Sequence, residues 1–285
     1  MGLPPKLVYY ILGLLRGDFQ TLKACSLTCK SMFASTRPFI HETLRLTRQN
    51  NESVLTKKQK KELHLKPGHH ELCFMSYMAE RGLLQYTRGL DIHDPVISTP
   101  GILLPHLHHF QSLTQVHTLT IWFCSIFKWA NHYKTGFAHF YPTLTSLTLI
   151  NPFGPCRIIM QFALQFPNLE NLCIKMLGVG WNPGPNSEQG GMDLTTVIID
   201  QSPPLSGHLR LGGHSAVSGL VDLVYELPNG FNFRSIELED FSGDCVQPIL
   251  QSCAHTLEDL TIVLNDDGDD DGTCRPSSGR LLWNY

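Results

Sequence analysis

Apolar positions along this chain follow two different periods. Near the start the spacing is helical. Leu7, Ile11 and Leu15 stand four residues apart with Val8 and Leu12 beside them, which predicts a broad apolar stripe on one helix. Pro4 or Pro5 suits its first turn, where a missing N–H costs nothing, and Gly17 can close it. Asp18 is a candidate cap for a second helix holding Phe19, Leu22 and Cys25. The stretch "CSLTCKSMFAST" predicts a third short helical segment ending before Pro38.

Past residue 85 the period shortens to that of a strand and the stretches recur. "RGLDI", "HTLTI", "TSLTLI", "ENLCIK", "GHLRLG", "RSIELED" and "EDLTIVL" each read apolar–any–apolar. Their first apolar positions are Leu90, Leu119, Leu147, Leu172, Leu209, Ile236 and Leu260, at spacings of 29, 28, 25, 37, 27 and 24 residues. All but one lie near the leucine-rich-repeat period of about 20 to 29 residues. Val116, Leu144, Leu169, Phe233 and Leu257 stand three positions earlier and complete the L-x-x-L-x-L half of that repeat. Weaker copies start at Leu44 and Leu72. Between them, "GILLPHLHHF", "CRIIMQFALQF", "AVSGLVDLVYEL" and "CVQPILQSCAHTL" carry helical spacing. The fold class expected is therefore α/β: a short helical unit, then a leucine-rich-repeat-like, right-handed α/β solenoid. One repeat cannot bury its own face. At roughly 1.5–3 kcal/mol per buried Leu or Ile, stability must come from stacking.

The boundaries read from these patterns are 1–46 for the helical unit, 47–84 for a polar and basic linker or irregular first repeat, 85–265 for the solenoid, and 266–285 for an acidic, disordered tail. The 37-residue spacing contains the Gly- and Pro-rich "GVGWNPGPNSEQGGMD", read as an inserted surface loop whose one residue of contact value is Trp181. Residues between the strand leucines should share the opposite face. Thr120, Thr148, Arg210, Glu237 and Thr261 are the candidate target contacts on that ground.

Composition narrows the partners. A net charge of -3 argues against a general polyanion binder, so no nucleic-acid role is expected. Lys57, Lys58, Lys60 and Lys61 read as a solvated face or linker. Nine cysteines, an odd number without paired spacing, suggest a reducing compartment, hence cytoplasm, nucleus or both. The opening apolar run falls short of the ~20 residues of a membrane span and lacks a small-x-small cleavage site, so neither a membrane role nor a secretory leader is expected.

Candidate chemistry is thin. His106 and His109 have one-turn spacing, but no acidic or Cys partner recurs nearby, which leaves them as amphipathic helix residues. Cys25 and Cys29, also one turn apart, read as small core residues. Asp267, Asp269 and Asp271 alternate like a calcium loop, but the twelfth position is Ser278 and Pro276 interrupts. No P-loop, G-x-S-x-G or H-E-x-x-H occurs. No catalytic residue, cofactor or metal site is assigned, and the chain is read as non-catalytic.

"LPPKLVYYILGLL" followed by "TLKACSLTCKSM" resembles an F-box, and the style of "QTLKACSLTCKS" and "PFGPCRIIMQFALQFPNLENL" is similar to the large F-box families of basidiomycete fungi. Matching positions are Leu3, Pro4, Leu7, Ile11, Leu15, Leu22, Leu27 and Cys29. Lys6 stands where the family commonly has Glu, Met32 where Trp is usual and Thr28 where Val is usual. The resemblance implies that these positions and Met32 dock onto the Skp-type adaptor of a cullin–RING ubiquitin ligase, while the solenoid presents a target protein. The alternative is an adaptor-independent repeat scaffold with a degenerate F-box. A helical unit of this size is too small to shelter so much apolar surface, which agrees with a covering partner.

Overall fold

A computed structural model describes residues 3–46, 70–93, 107–122, 139, 141–152, 156–175, 206–212, 231–239, 246–264 and 279–284. The chain divides into two compact units, Met1–Thr118 with Thr135–Thr143, and Leu119–Lys134 with Leu144–Tyr285.

The first unit opens with three helices, α1 (Pro5–Leu14), α2 (Phe19–Ser26) and α3 (Lys30–Ile40). Pro5 occupies the first turn of α1, as its fixed φ favours. Asp18 caps α2 by accepting from the Thr21 N–H at 3.0 Å. Helix α3 runs through Pro38 to Ile40, three residues beyond a stop at residue 37. So close to the C-terminus proline removes one backbone donor, and Phe39 just after it is fixed in the core with Leu12 and Leu22. Val8, Leu15, Cys25, Met32 and Ile40 pack around those three.

Strand β1 (Thr43–Leu46) follows and pairs in parallel with β2 (Gly89–His93), placing Leu44 beside Leu90 and Leu46 beside Ile92. Between them lie helix α4 (His70–Glu80) and a 3-10 turn, Leu84–Tyr86. Met75, Met78, Leu83 and Leu84 are buried, so this part of the expected linker contributes to a core. Leu72, expected to begin a weak strand copy, falls inside α4. The helix stops at Gly82, whose φ of +63° permits paired closing bonds, Gly82 N–H to the Ala79 carbonyl and Leu83 N–H to the Met78 carbonyl. A single helical turn, α5 (Leu107–Phe110), and the start of β3 (Thr118–Trp122) complete the unit's described elements.

The second unit holds the rest of β3, then β4 (Ser146–Ile150), α6 (Cys156–Ala163), β5 (Asn171–Lys175), β6 (Ser206–Gly212), β7 (Asn232–Glu239), α7 (Val246–Cys253), β8 (Asp259–Leu264) and β9 (Gly279–Asn284). Strands β4 to β8 are parallel, pairing in chain order. All seven expected strand starts lie in strands. In register, Leu147, Leu172, Leu209, Ile236 and Leu260 form one row, and Leu149, Ile174, Leu211, Leu238 and Ile262 a second. Both rows are buried except at β8, where Leu260 and Ile262 are half-buried. The α/β class and the parallel sheet are thus as the apolar pattern predicts.

One expectation is corrected at the end of the chain. Gly279–Asn284 forms β9, antiparallel to β8, where a disordered tail was expected. Two adjacent leucines, Leu281 and Leu282, give no repeat signal, but an added strand needs only a partner edge. The stretch "AVSGLVDLVYEL", the loop with Trp181, the Lys57–Lys61 cluster, His106 and the aspartates at 266–271 lie outside the described residues. Among the described residues no helix is long and apolar enough to cross a membrane.

Candidate functional site

Helix α1 is apolar on nearly every side, and the fold uses only one of them. Its inward stripe is Val8, Leu12 and Leu15, spaced four and three residues apart. Leu7 and Ile11, expected on that stripe, are turned out by one position and are 43% and 40% exposed. With Leu3, Tyr10 and Leu14 they make a second apolar stripe at helical spacing. Phe19 on α2, Leu27 in the α2–α3 turn and Phe33 on α3 are also exposed, Leu27 to 80%. Among the described residues every exposed large apolar side chain lies between Leu3 and Phe33.

The expected adaptor contacts sort accordingly. Leu3, Pro4, Leu7, Ile11, Leu27 and Cys29 are exposed. Leu15 and Met32 are half-buried against the helical core. Leu22 is buried within it, so it supports the surface from beneath. Tyr9, Tyr10, Leu14, Phe19 and Phe33 belong to the exposed set and were not among the contacts expected from sequence. The signal for Tyr10 and Leu14 was present, since both continue the i, i+3, i+4 spacing from Leu3 and Leu7. A helix apolar all round simply gives no choice between its faces.

Cys25 and Cys29 do not share a helix. Cys25 lies half-buried in the last turn of α2, whereas Cys29 is the exposed N-cap of α3. Its thiol is held below the ordinary value by hydrogen bonding to the Ser31 hydroxyl, 3.2 Å away, and by the Met32 backbone N–H. Phe33 carries the Arg37 guanidinium 4.4 Å above its ring centre.

The second candidate surface is the face of β4–β8 opposite the leucine rows. Thr148, Cys173, Arg210, Glu237 and Thr261 stand in one row across five strands, so four of the expected target contacts are brought together. Thr120 lies at the equivalent place in β3, half-buried between Leu119 and Ile121. The row was legible from alternation alone. Its charge network was not. Arg210 bonds to Glu239 and lies 3.6 Å from Glu237. Lys175 reaches Glu239 at 3.6 Å, passing over β6 at Gly212. A Cβ at 212 would stand 3.2 Å from a Glu239 carboxylate oxygen, so glycine leaves the lane open. His208 Nδ1 lies 2.9 Å from the Ser235 hydroxyl. Cys173, beside Arg210 in the row, has its thiol pushed up by burial.

In the first unit Arg45 and Asp91 sit opposite each other on β1 and β2, 3.7 Å apart. His109 pairs with the Ser76 hydroxyl across 2.8 Å, joining α5 to α4. Among the described residues no group of three metal-ligating side chains occurs. No family model, curated protein or solved structure matches the chain.

Proposed function

We propose that the chain is a non-catalytic substrate receptor of a cullin–RING ubiquitin ligase. Its three N-terminal helices act as an F-box that docks on the Skp-type adaptor, and its strand region, read as a leucine-rich-repeat-like solenoid, binds a target protein. The observation that carries the reading is the outward apolar stripe of Leu3, Leu7, Tyr10, Ile11 and Leu14 with Phe19, Leu27 and Phe33. So much exposed apolar surface on one small unit marks a protein contact. The work such a receptor does is tethering, which raises the effective concentration of target at the transfer machinery without new chemistry. Thr148, Arg210, Glu237 and Thr261 form the corresponding target face, with Thr120 and Trp181 as further candidates.

A purified Skp-type adaptor tests this directly. The full chain should capture it, and Leu7→Asp with Ile11→Asp should abolish capture while circular dichroism stays unchanged, because both side chains already face water. Failure of the unmutated chain to capture the adaptor refutes the reading. One observation favours the second reading, an adaptor-independent scaffold with a degenerate F-box. Met32, standing where the family's Trp anchor is usual, packs inward against Leu12, Leu22 and Phe39.

A further inference from the structure

Charge is distributed very unevenly along the chain. Residues 3–40 carry five cations, Lys6, Arg16, Lys23, Lys30 and Arg37, against one anion, Asp18. That segment is therefore net +4 in a chain of net charge -3, so the remainder carries -7. The single anion is occupied, since the Asp18 carboxylate accepts from both the N–H and the hydroxyl of Thr21. Arg16 is paired with Glu42 at 2.8 Å. Among the described residues Lys6, Lys23, Lys30 and Arg37 have no carboxylate partner.

Two of these cations oppose local structure. Lys6 stands in the first turn of α1 and Lys30 opens α3. A helix N-terminus carries partial positive charge and disfavours a cation. Neither lysine is in an ion pair that would offset this, and both are exposed. They flank the outward apolar side chains in sequence, Lys6 beside Leu7 and Lys30 three residues before Phe33.

We infer that the partner of the helical surface presents an apolar centre bordered by carboxylates, and that this basic border steers the encounter. The inference rests on the docking role proposed above and gives that role an electrostatic selectivity. An apolar core with a polar rim is the usual anatomy of a protein contact, and rim charges act mainly on association rate. Of the nine exposed large apolar side chains among the described residues, Tyr9, Tyr10, Phe19 and Phe33 are aromatic, but Leu3, Leu7, Ile11, Leu14 and Leu27 are aliphatic and offer no stacking face, which suits a protein partner better than nucleotide bases. With Phe19 on α2 and Phe33 on α3, the exposed set spreads over three short helices and a turn, unlike the single long face of a helix lying in a lipid surface.

The test uses the full chain, the purified Skp-type adaptor, and vesicles of phosphatidylserine with phosphatidylcholine. Raising salt from about 0.05 to about 0.5 M should weaken adaptor capture about tenfold, mostly through association rate. Lys6→Glu with Lys30→Glu should weaken low-salt capture by a similar factor and flatten the salt dependence. Glutamate suits both helix starts, so loss of binding there is not loss of folding. Lys57→Glu with Lys58→Glu, outside residues 3–40, should change little. Capture that ignores salt and the Lys6/Lys30 reversal overturns the charge inference while leaving docking intact. No capture at low salt overturns both. Salt-sensitive binding to the vesicles without adaptor capture assigns the surface to anionic lipid and overturns both as well.

Discussion

A methyl group at position 207 has nowhere to go. Gly207 has φ +93°, and a Cβ built there would stand 2.1 Å from the Glu170 carbonyl oxygen. That same oxygen accepts the His208 N–H at 2.7 Å as β6 joins β5. Gly207→Ala therefore forces either the backbone or this bond to yield, and should cost about 2–3 kcal/mol or more. Chemical denaturation of the variant measures it, and an unchanged midpoint would show that the close approach is absent in solution. The helical unit offers a paired contrast. Leu22→Ala removes a side chain only 1% exposed and should cost about 2–5 kcal/mol. Leu27→Ala removes one that is 80% exposed and should leave stability within about 0.5 kcal/mol while weakening adaptor capture. If both variants lose equal stability, the division into supporting and contacting leucines is wrong.

At the scale of the elements, the junction of α3 and β1 is a pH-sensitive point. His41 closes α3, and burial together with the nearby Arg37 guanidinium pushes its pKa down to about 4 from an ordinary 6.5. Between those values the unfolded chain binds the proton and the folded chain does not. Stability is therefore lost as pH falls from 6.5 toward 4, by about 3 kcal/mol at most. Denaturant midpoints across that window should fall for the unmutated chain and fall less for His41→Gln; parallel curves would remove the group from the account. Nothing in the apolar pattern pointed to this. The strands were legible because a period of two with leucine at alternate places fits only a half-buried strand. Helix α1 was legible as a helix but not in its orientation, since eight of its neighbouring residues from Leu7 to Leu15 other than Gly13 are apolar or aromatic. Which stripe turned inward was decided by Leu22 and Phe39, contributed by other helices. The Arg210, Glu237, Glu239 and Lys175 network was illegible for the same reason: register, rather than sequence distance, brings those charges together.

For the whole molecule, the question is what lies beyond the last parallel strand. Each parallel strand satisfies its neighbour's backbone and leaves its own outer edge open, so repetition alone never closes a sheet. Strand β9 covers the edge of β8 by running antiparallel along it, from Asp259 opposite Asn284 to Leu264 opposite Gly279, and becomes the outer strand in its place. It needs no leucine-rich signature to do so, which is why the repeat period gave no hint of it. Covering β8 has a measurable consequence. A chain ending at Leu264 would expose the backbone donors and acceptors of β8 along that edge. Ile262 and Val263, both half-buried, would sit beside the opened ladder. Such an edge recruits a second strand, and the nearest supply is another copy of the chain. The truncated chain should therefore associate in a concentration-dependent way under conditions where the full chain does not, read by light scattering or sedimentation. Placing Lys at Thr261 and Val263 of the truncated chain should suppress that association, since charged side chains on an edge oppose pairing. Equal dispersity of full and truncated chains over the same concentration range would mean that β8 is not an edge covered by β9.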